Sequence, residues 1–259
     1  MSALPSLDED MEQGLSETAS VGLAGPAVRR ARAWLSRAAE PGSVAFWRFV
    51  EDAGPVEAVR RLRSGRAPDA VRALVGVRAT QDASLQDLLR AERCDARLVV
   101  PEDDEWPAHL LHCLTLATGE EPDDPRHQSP RAIAPVPPLA LWVRGPARLD
   151  ELADRSVAIV GARASTAYGE HVAGELGHQL GERGWTVVSG GAFGIDAAAH
   201  RGALAADAPT VAVLACGVDR AYPAAHGALF HRIAESGLLV SEWPPGAAPL
   251  KHRFLVRNR

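Results

Sequence analysis

The chain has 259 residues, 46% of them hydrophobic, and a formal net charge of −5. That is enough apolar material for one large domain or two ordinary ones, and the acidic balance excludes a uniformly basic coat while leaving room for a local cationic patch. No apolar run approaches the ~20 residues of a membrane helix, the N-terminus has no secretion-signal pattern, and Cys94, Cys113 and Cys216 are widely spaced without a CxxC pair, so the chain reads as cytoplasmic with reduced thiols.

Residues 1–24 carry Asp8, Glu9, Asp10, Glu12 and Glu17 and no Lys or Arg, which predicts a disordered acidic leader. Residues 25–93 repeat apolar residues three and four apart in AVRRARAWLSRA, VAFWRFVEDAG, VEAVRRLRSG and LQDLLRAER, with breaks at Gly42, Gly54, Gly65 and Pro68. This predicts a small all-helical domain. Its arginines (Arg29, Arg30, Arg60, Arg61, Arg63 and Arg66) read as a solvated helix face, with DNA contact as the alternative.

Residues 94–259 read as a Rossmann-like domain. RLVVP is a short strand, EWPAHLLHCL a helix, Thr118–Pro138 a long surface loop and LALWVRG another strand. The pattern then becomes regular. The runs SVAIV, WTVVS, TVAVLA and LLVSE are strands, and three amphipathic segments separate them. In the first helix Val172, Ala173, Leu176 and Leu180 form the expected packing stripe. Alternation of this kind means an α/β fold, a doubly wound parallel (extended Rossmann-like) sheet, preceded by the small all-helical domain.

Ligands of such sheets bind beyond the carboxyl ends of the strands. Two glycine-bearing turns occupy those ends: GARASTAYG, Gly161 to Gly169, and SGGAFG, Ser189 to Gly194. Gly161 lets the chain turn, and Ser165 or Thr166 can cap the following helix. Both turns open into helix N-termini, which favour anions, and Arg163 can fork onto a phosphate. The alternative is that the glycines serve only close helix–sheet packing. The first turn lacks G-x-G-x-x-G and the second strand ends in Ser189-Gly190 rather than an acid, so a dinucleotide is not expected. P-loop and nucleophile-elbow motifs are also missing from the sequence. Asp196 and His200, four apart, read as a helix-stabilising acid and a histidine oriented by it, with an acid–base pair as the alternative. His109, His112 and Cys113 on one helical turn lack a fourth ligand. No metal, cofactor or catalytic residue is expected.

The segments VAIVGARASTAYG, GWTVVSGGAFGIDAAAHRGAL, TVAVLACGVDRAYPAAHGALFHRI and GLLVSEWPPGAAPLKHRFLVRNR together resemble the DprA/Smf family of DNA-processing proteins of natural transformation. The resemblance is specific over residues 139–259 and looser over the helical region, which in the family is sterile-alpha-motif-like. It implies a non-enzymatic protein that binds incoming single-stranded DNA, protects it, helps load the RecA recombinase and forms a homodimer. Carried over by position, the DNA-binding set is Gly161, Arg163, Ser165, Ser189, Gly190, Gly191, Phe193 and Gly194, joined by the basic end, Lys251, Arg253, Arg257, Asn258 and Arg259. The backbone of Ser189, Gly190, Gly191 and Gly194 is expected to meet the DNA backbone, glycine being used because a Cβ would hold it away. Phe193 stands where the family usually has Arg or Met; it loses a cation and offers a stacking face. The family continues past Arg-Asn-Arg, so a C-terminally truncated, incomplete sheet with an exposed edge strand is expected. Two other readings stay open: a nucleoside-monophosphate phosphoribohydrolase-like Rossmann enzyme, whose P-G-G-x-G-T-x-x-E motif is not in this sequence, and a structural adaptor.

Overall fold

The structure is a computed structural model that describes residues 22–117 and 134–258. Residues 1–21 of the acidic leader, most of the loop from Thr118, and Arg259 lie outside the described residues. The chain forms two compact units: residues up to Arg90 with Leu98–Ala140, and Ala91–Arg97 with Leu141–Asn258. The chain therefore returns to the helical unit after the predicted boundary at 93/94.

The first unit is built on α1 (Pro26–Ala38), α2 (Val44–Ala53), α3 (Pro55–Arg63), α4 (Asp69–Val75), a 3-10 turn (Gly76–Thr80), α5 (Ser84–Glu92) and α6 (Ala108–Ala117). Spacing of three and four in α1 puts Ala31, Trp34, Leu35 and Ala38 into one core with Phe46, Val50, Val59, Leu62, Val71 and Val75. Ser43 caps α2 by accepting from the Phe46 amide at 3.3 Å. Gly54, at φ +76°, ends α2, and Pro55 starts α3, where its missing N–H costs nothing.

The reading of the arginines as a solvated face needs correction at two positions. Arg29 turns inward and forks onto Asp103 at 2.8 and 3.0 Å. Arg30 is buried and reaches Ser84 and Asp82, each at 3.3 Å. Arg60 and Arg61 share Glu57 at the surface. Burial alone would raise the Asp103 carboxyl; hydrogen bonds from Arg29 and from the amides of Ala24 and Val100 outweigh that and hold it below the ordinary range. The same bond to Ala24 fixes the end of the predicted leader. The loop before β2 is not all surface either: Val136, Pro137 and Pro138 are buried.

A six-stranded sheet, in the second unit except for Leu98 and Val99 at the end of its first strand, is formed by β1 (Ala96–Val99), β2 (Leu141–Arg144), β3 (Ser156–Ala158), β4 (Thr186–Ser189), β5 (Thr210–Leu214) and β6 (Leu238–Ser241), in the order β1-β2-β6-β5-β4-β3. The four strands expected to run parallel do so, in the registers Ser156↔Thr186, Val187↔Thr210 and Val211↔Leu238. β2 is antiparallel to β6, pairing Trp142 with Ser241, which makes the sheet mixed. A short helix, α7 (Leu149–Asp154), links β2 to β3, and the crossovers are α8 (Ala167–Glu182), α9 (Ile195–Ala205) and α10 (Gly227–Ser236). β6 is buried throughout, as a strand covered on both faces should be. β3 is not: it forms the sheet edge, and Ala158 is exposed.

The packing stripe of α8 also differs from expectation. Ala173, Gly177 and Gly181 are buried, whereas Leu176 is 48% exposed. The reason is close approach to α9. A Cβ on Gly177 would lie 2.4 Å from the Ala199 carbonyl oxygen, and one on Gly202 would lie 2.0 Å from that of Gly174. Backbones this near leave no room for the leucine, so small residues take the contact.

Candidate functional site

The carboxyl ends of β3 and β4 carry the two predicted turns. Thr166 caps α8, accepting from the Gly169 amide at 3.1 Å. Ser165 instead donates to the Glu170 carboxylate at 2.7 Å. The two turns touch. The Ile195 amide donates to the Ala162 carbonyl at 3.3 Å, and a Cβ on Gly194 would meet the Ala162 oxygen at 2.3 Å and Ser165 Oγ at 2.6 Å. Gly161 keeps an ordinary φ, and its missing Cβ makes way for Ile195. The expected turn-making role of that glycine is replaced by a packing one.

The SGGAFG turn is held just as closely. Ser189 is 3% exposed, and its hydroxyl donates to the Ile159 carbonyl at 2.6 Å, tying the end of β3 to β4. That hydroxyl is spent on the fold. A Cβ on Gly190 would collide with the Arg257 guanidinium at 2.0 Å, and one on Gly191, at φ +65°, with the Phe230 ring at 2.4 Å. Glycine is needed at these points because protein fills the Cβ positions. This corrects the expectation that the glycines clear space for a nucleic-acid backbone.

What occupies the Gly190 position is itself charged. Arg257 comes from α11 (Lys251–Arg257). The segment leading there is fixed by the Gly246 amide donating to Asp219 at 2.7 Å, and by Gly217 donating to the Ala247 carbonyl at 3.1 Å. Arg253 adds a bond to the Ala248 carbonyl at 3.0 Å and lies over Trp243. Arg257 Nη1 then donates to the carbonyls of Gly190 (3.0 Å) and Val213 (2.8 Å), and Nε to Asn258 (2.8 Å). A guanidinium has five N–H groups; those on Nη2 meet no acceptor among the described residues. Burial lowers the Arg257 pKa; Asp196 opposes this, and Arg163 adds to it. Arg257 thus feels the Asp196 carboxylate and, more weakly, the Arg163 guanidinium.

Arg163 is exposed and makes no hydrogen bond among the described residues; its guanidinium lies 5.5 Å from the centre of the Phe254 ring. Phe254 packs against Tyr222 at 5.4 Å. Phe193 is 48% exposed and meets His226 edge-on at 4.6 Å. Lys251 is exposed at the start of α11 and Asn258 is exposed beyond its end. The structure thus brings Gly161, Arg163, Ser165, Ser189, Gly190, Gly191, Phe193, Gly194 and Arg257 together. The sequence reading missed Phe254, Tyr222 and His226. Aromatics inside the quoted segments, AYPAAH and HRFLVRNR, were the available signal.

Asp196 and His200 do not form a pair. Asp196 accepts from the Ala192 amide at 3.3 Å, so its charge already serves the first turn of α9. His200 is fully buried and bonds through Nδ1 to Thr210 Oγ1 at 2.8 Å; Thr210 in turn donates to the Val187 carbonyl at 2.6 Å. Thr210 spends its proton there, which assigns the His200 proton to Nδ1. Nε2 is buried without a hydrogen-bond partner. Burial, then the His226 charge, pushes the His200 pKa down from 6.5 to about 3. The unfolded chain therefore binds this proton and the folded chain does not. The contribution is complete above the unfolded value and is lost as pH falls toward the folded one. Urea unfolding between pH 7 and pH 4 should show stability falling by up to about 1.4 kcal/mol per pH unit from this residue, and His200→Gln should flatten the slope.

Cys216 is buried, and burial pushes its thiol up to about 11; Cys94 and Cys113 are also free. Among the described residues no group of three His, Cys, Asp or Glu side chains could hold a metal, and no helix is long and apolar enough to cross a membrane.

The profile of the DNA recombination-mediator protein A family matches residues 97–259. The chain is 49% identical over 230 residues to a DprA protein of Mycobacterium tuberculosis, which covers 89% of this chain and 57% of that relative. It is 37% identical over 123 residues to DNA processing protein DprA of Bacillus subtilis, covering 48% and 41%. The X-ray structure of DNA processing protein A from Streptococcus pneumoniae aligns with a TM-score of 0.63 and 26% identity over 88% of this chain and 72% of that one. The chain spans little more than half the length of the M. tuberculosis relative. It belongs to the DNA recombination-mediator protein A family.

Proposed function

We propose that the chain binds single-stranded DNA at the carboxyl ends of β3–β5, without enzymatic activity, and serves natural transformation in the cytoplasm by protecting the strand and helping to load the RecA recombinase. A homodimer is the expected working form. The observation that carries the DNA reading is that Arg163 and Arg257 Nη2, both with unspent donors, flank the turn bearing the exposed ring of Phe193, with the half-buried Phe254 ring 5.5 Å from the Arg163 guanidinium. Cations follow a phosphate chain and rings accept unpaired bases, a combination suited to single strands. Asp196 and His200 bond to different partners, which supports their reading as structural rather than as an acid–base pair.

The test is fluorescence anisotropy of a labelled single-stranded oligonucleotide over a salt series, with duplex DNA and single-stranded RNA as competitors. The expected result is salt-sensitive binding in which duplex competes poorly. Arg163→Ala should weaken it roughly tenfold and reduce the slope of log K against log salt by about 0.7, the loss of one phosphate contact on a single strand. Absence of binding by the folded chain would sink the proposal.

A further inference from the structure

Resting on that reading, we infer that Phe193, braced by the buried His226, is a stacking platform for one unpaired base, and that this ring lets the site prefer single strand over duplex.

The turn that carries Phe193 is rigid on both sides. Gly190 is pinned by Arg257, Gly191 by Phe230 and Gly194 by the first turn. His226 is 5% exposed, donates through Nδ1 to the Gly191 carbonyl at 2.9 Å, and presents its ring to Phe193 on one side and to Phe230, at 6.4 Å, on the other. A ring held in this way has already lost most of its rotational freedom, so stacking a base on it costs little further entropy. Yet nearly half of its surface stays in water. The turn that carries it adjoins both arginines: a Cβ on Gly194, the following residue, would lie 2.8 Å from the Arg163 carbonyl oxygen, and one on Gly190 would lie 2.0 Å from the Arg257 guanidinium. A phosphate taken by Arg257, which is bonded to Gly190 three residues before Phe193 on the same turn, would bring its nucleotide toward this ring.

Bases in a duplex present only their edges, whereas an unpaired base offers a π-face. The discrimination therefore falls to the ring, and the cations supply affinity for either form. His226 is a positioning residue in this scheme, since it touches the ring and not the base.

The experiment compares the wild-type chain with Phe193→Ala and Phe193→Tyr by anisotropy. The probes are a single-stranded oligonucleotide, the same backbone carrying abasic sites, and the duplex. Wild type is expected to bind the normal strand roughly tenfold tighter than the abasic one. Phe193→Ala should remove most of that ratio and leave abasic binding unchanged, while Phe193→Tyr keeps the ratio. Equal loss on both probes in Phe193→Ala, or no loss on either, overturns the inference while single-strand binding itself stands. Failure of the wild-type chain to bind any single strand overturns the underlying reading as well. Because Phe193 is half exposed, matching thermal midpoints of the three proteins are expected, and they separate a binding effect from a folding one.

Discussion

Arg257→Ala is expected to weaken single-strand binding more than any other single substitution in α11, by about 10- to 100-fold, and to cost about 1–3 kcal/mol of stability. Both effects come from one group. Its Nη1 satisfies the carbonyls of Gly190 and Val213, and removal leaves two strand-end acceptors without their charged donor. In the proposed site its Nη2 donates to a phosphate, and removal would delete that charge-assisted bond. Gly190→Ala separates the two roles. The new Cβ would lie 2.0 Å from the guanidinium, which can swing away because it ends a flexible side chain. The charge stays on the protein but leaves its seat. Gly190→Ala should therefore lose most of the affinity with a smaller loss of stability, read by anisotropy and urea unfolding. Unchanged binding in both variants would remove Arg257 from the site.

The second large effect is on the fold. Gly202→Ala should destabilise the chain by about 3 kcal/mol or more, as overpacking against a rigid neighbour does. The methyl would lie 2.0 Å from the Gly174 carbonyl oxygen and 2.8 Å from its carbon. These are backbone atoms of α8, so α8 and α9 must separate. Gly174→Ala, on the facing helix, carries the opposite sign. Its nearest neighbour is the Ala198 oxygen at 3.6 Å, an ordinary contact, so the gain in helix propensity is retained at about 0.5–1 kcal/mol. Thermal or urea unfolding of the two alanine variants checks the contrast, and similar destabilisation by both would show that the helices do not meet this closely.

Periodicity was informative where side chains make the contacts. The spacing of Ala31, Trp34, Leu35 and Ala38 predicts the buried face of α1, and the apolar runs predict β4, β5 and β6. It failed where backbone makes them: α8 packs through Ala173, Gly177 and Gly181, which carry almost no hydrophobic signal, and so Leu176 was placed inside. The edge position of β3 was hidden for another reason. Strand order is set by long-range pairing, and SVAIV reads the same at the centre of a sheet as at its rim. For the site, a run of glycines announces close approach without naming what approaches. Arg257 lies 67 positions from Gly190, and nothing local to either residue encodes the pairing. Arg29 and Arg30 looked solvated because their acids, Asp103 and Asp82, lie far along the chain.

The seat of Arg257 on the strand ends joins two equilibria. While α11 is docked, its guanidinium is fixed where an anion can use it; when α11 lifts away, that partner is gone. By reciprocity, whatever factor docking adds to the affinity for the anion, the anion adds to the population of the docked form. Docking of α11 and occupation of the proposed anion site then reinforce each other. Amide exchange across residues 251–258 should slow as the oligonucleotide is titrated in, and a protease that cuts in this segment should lose its grip at the same concentrations.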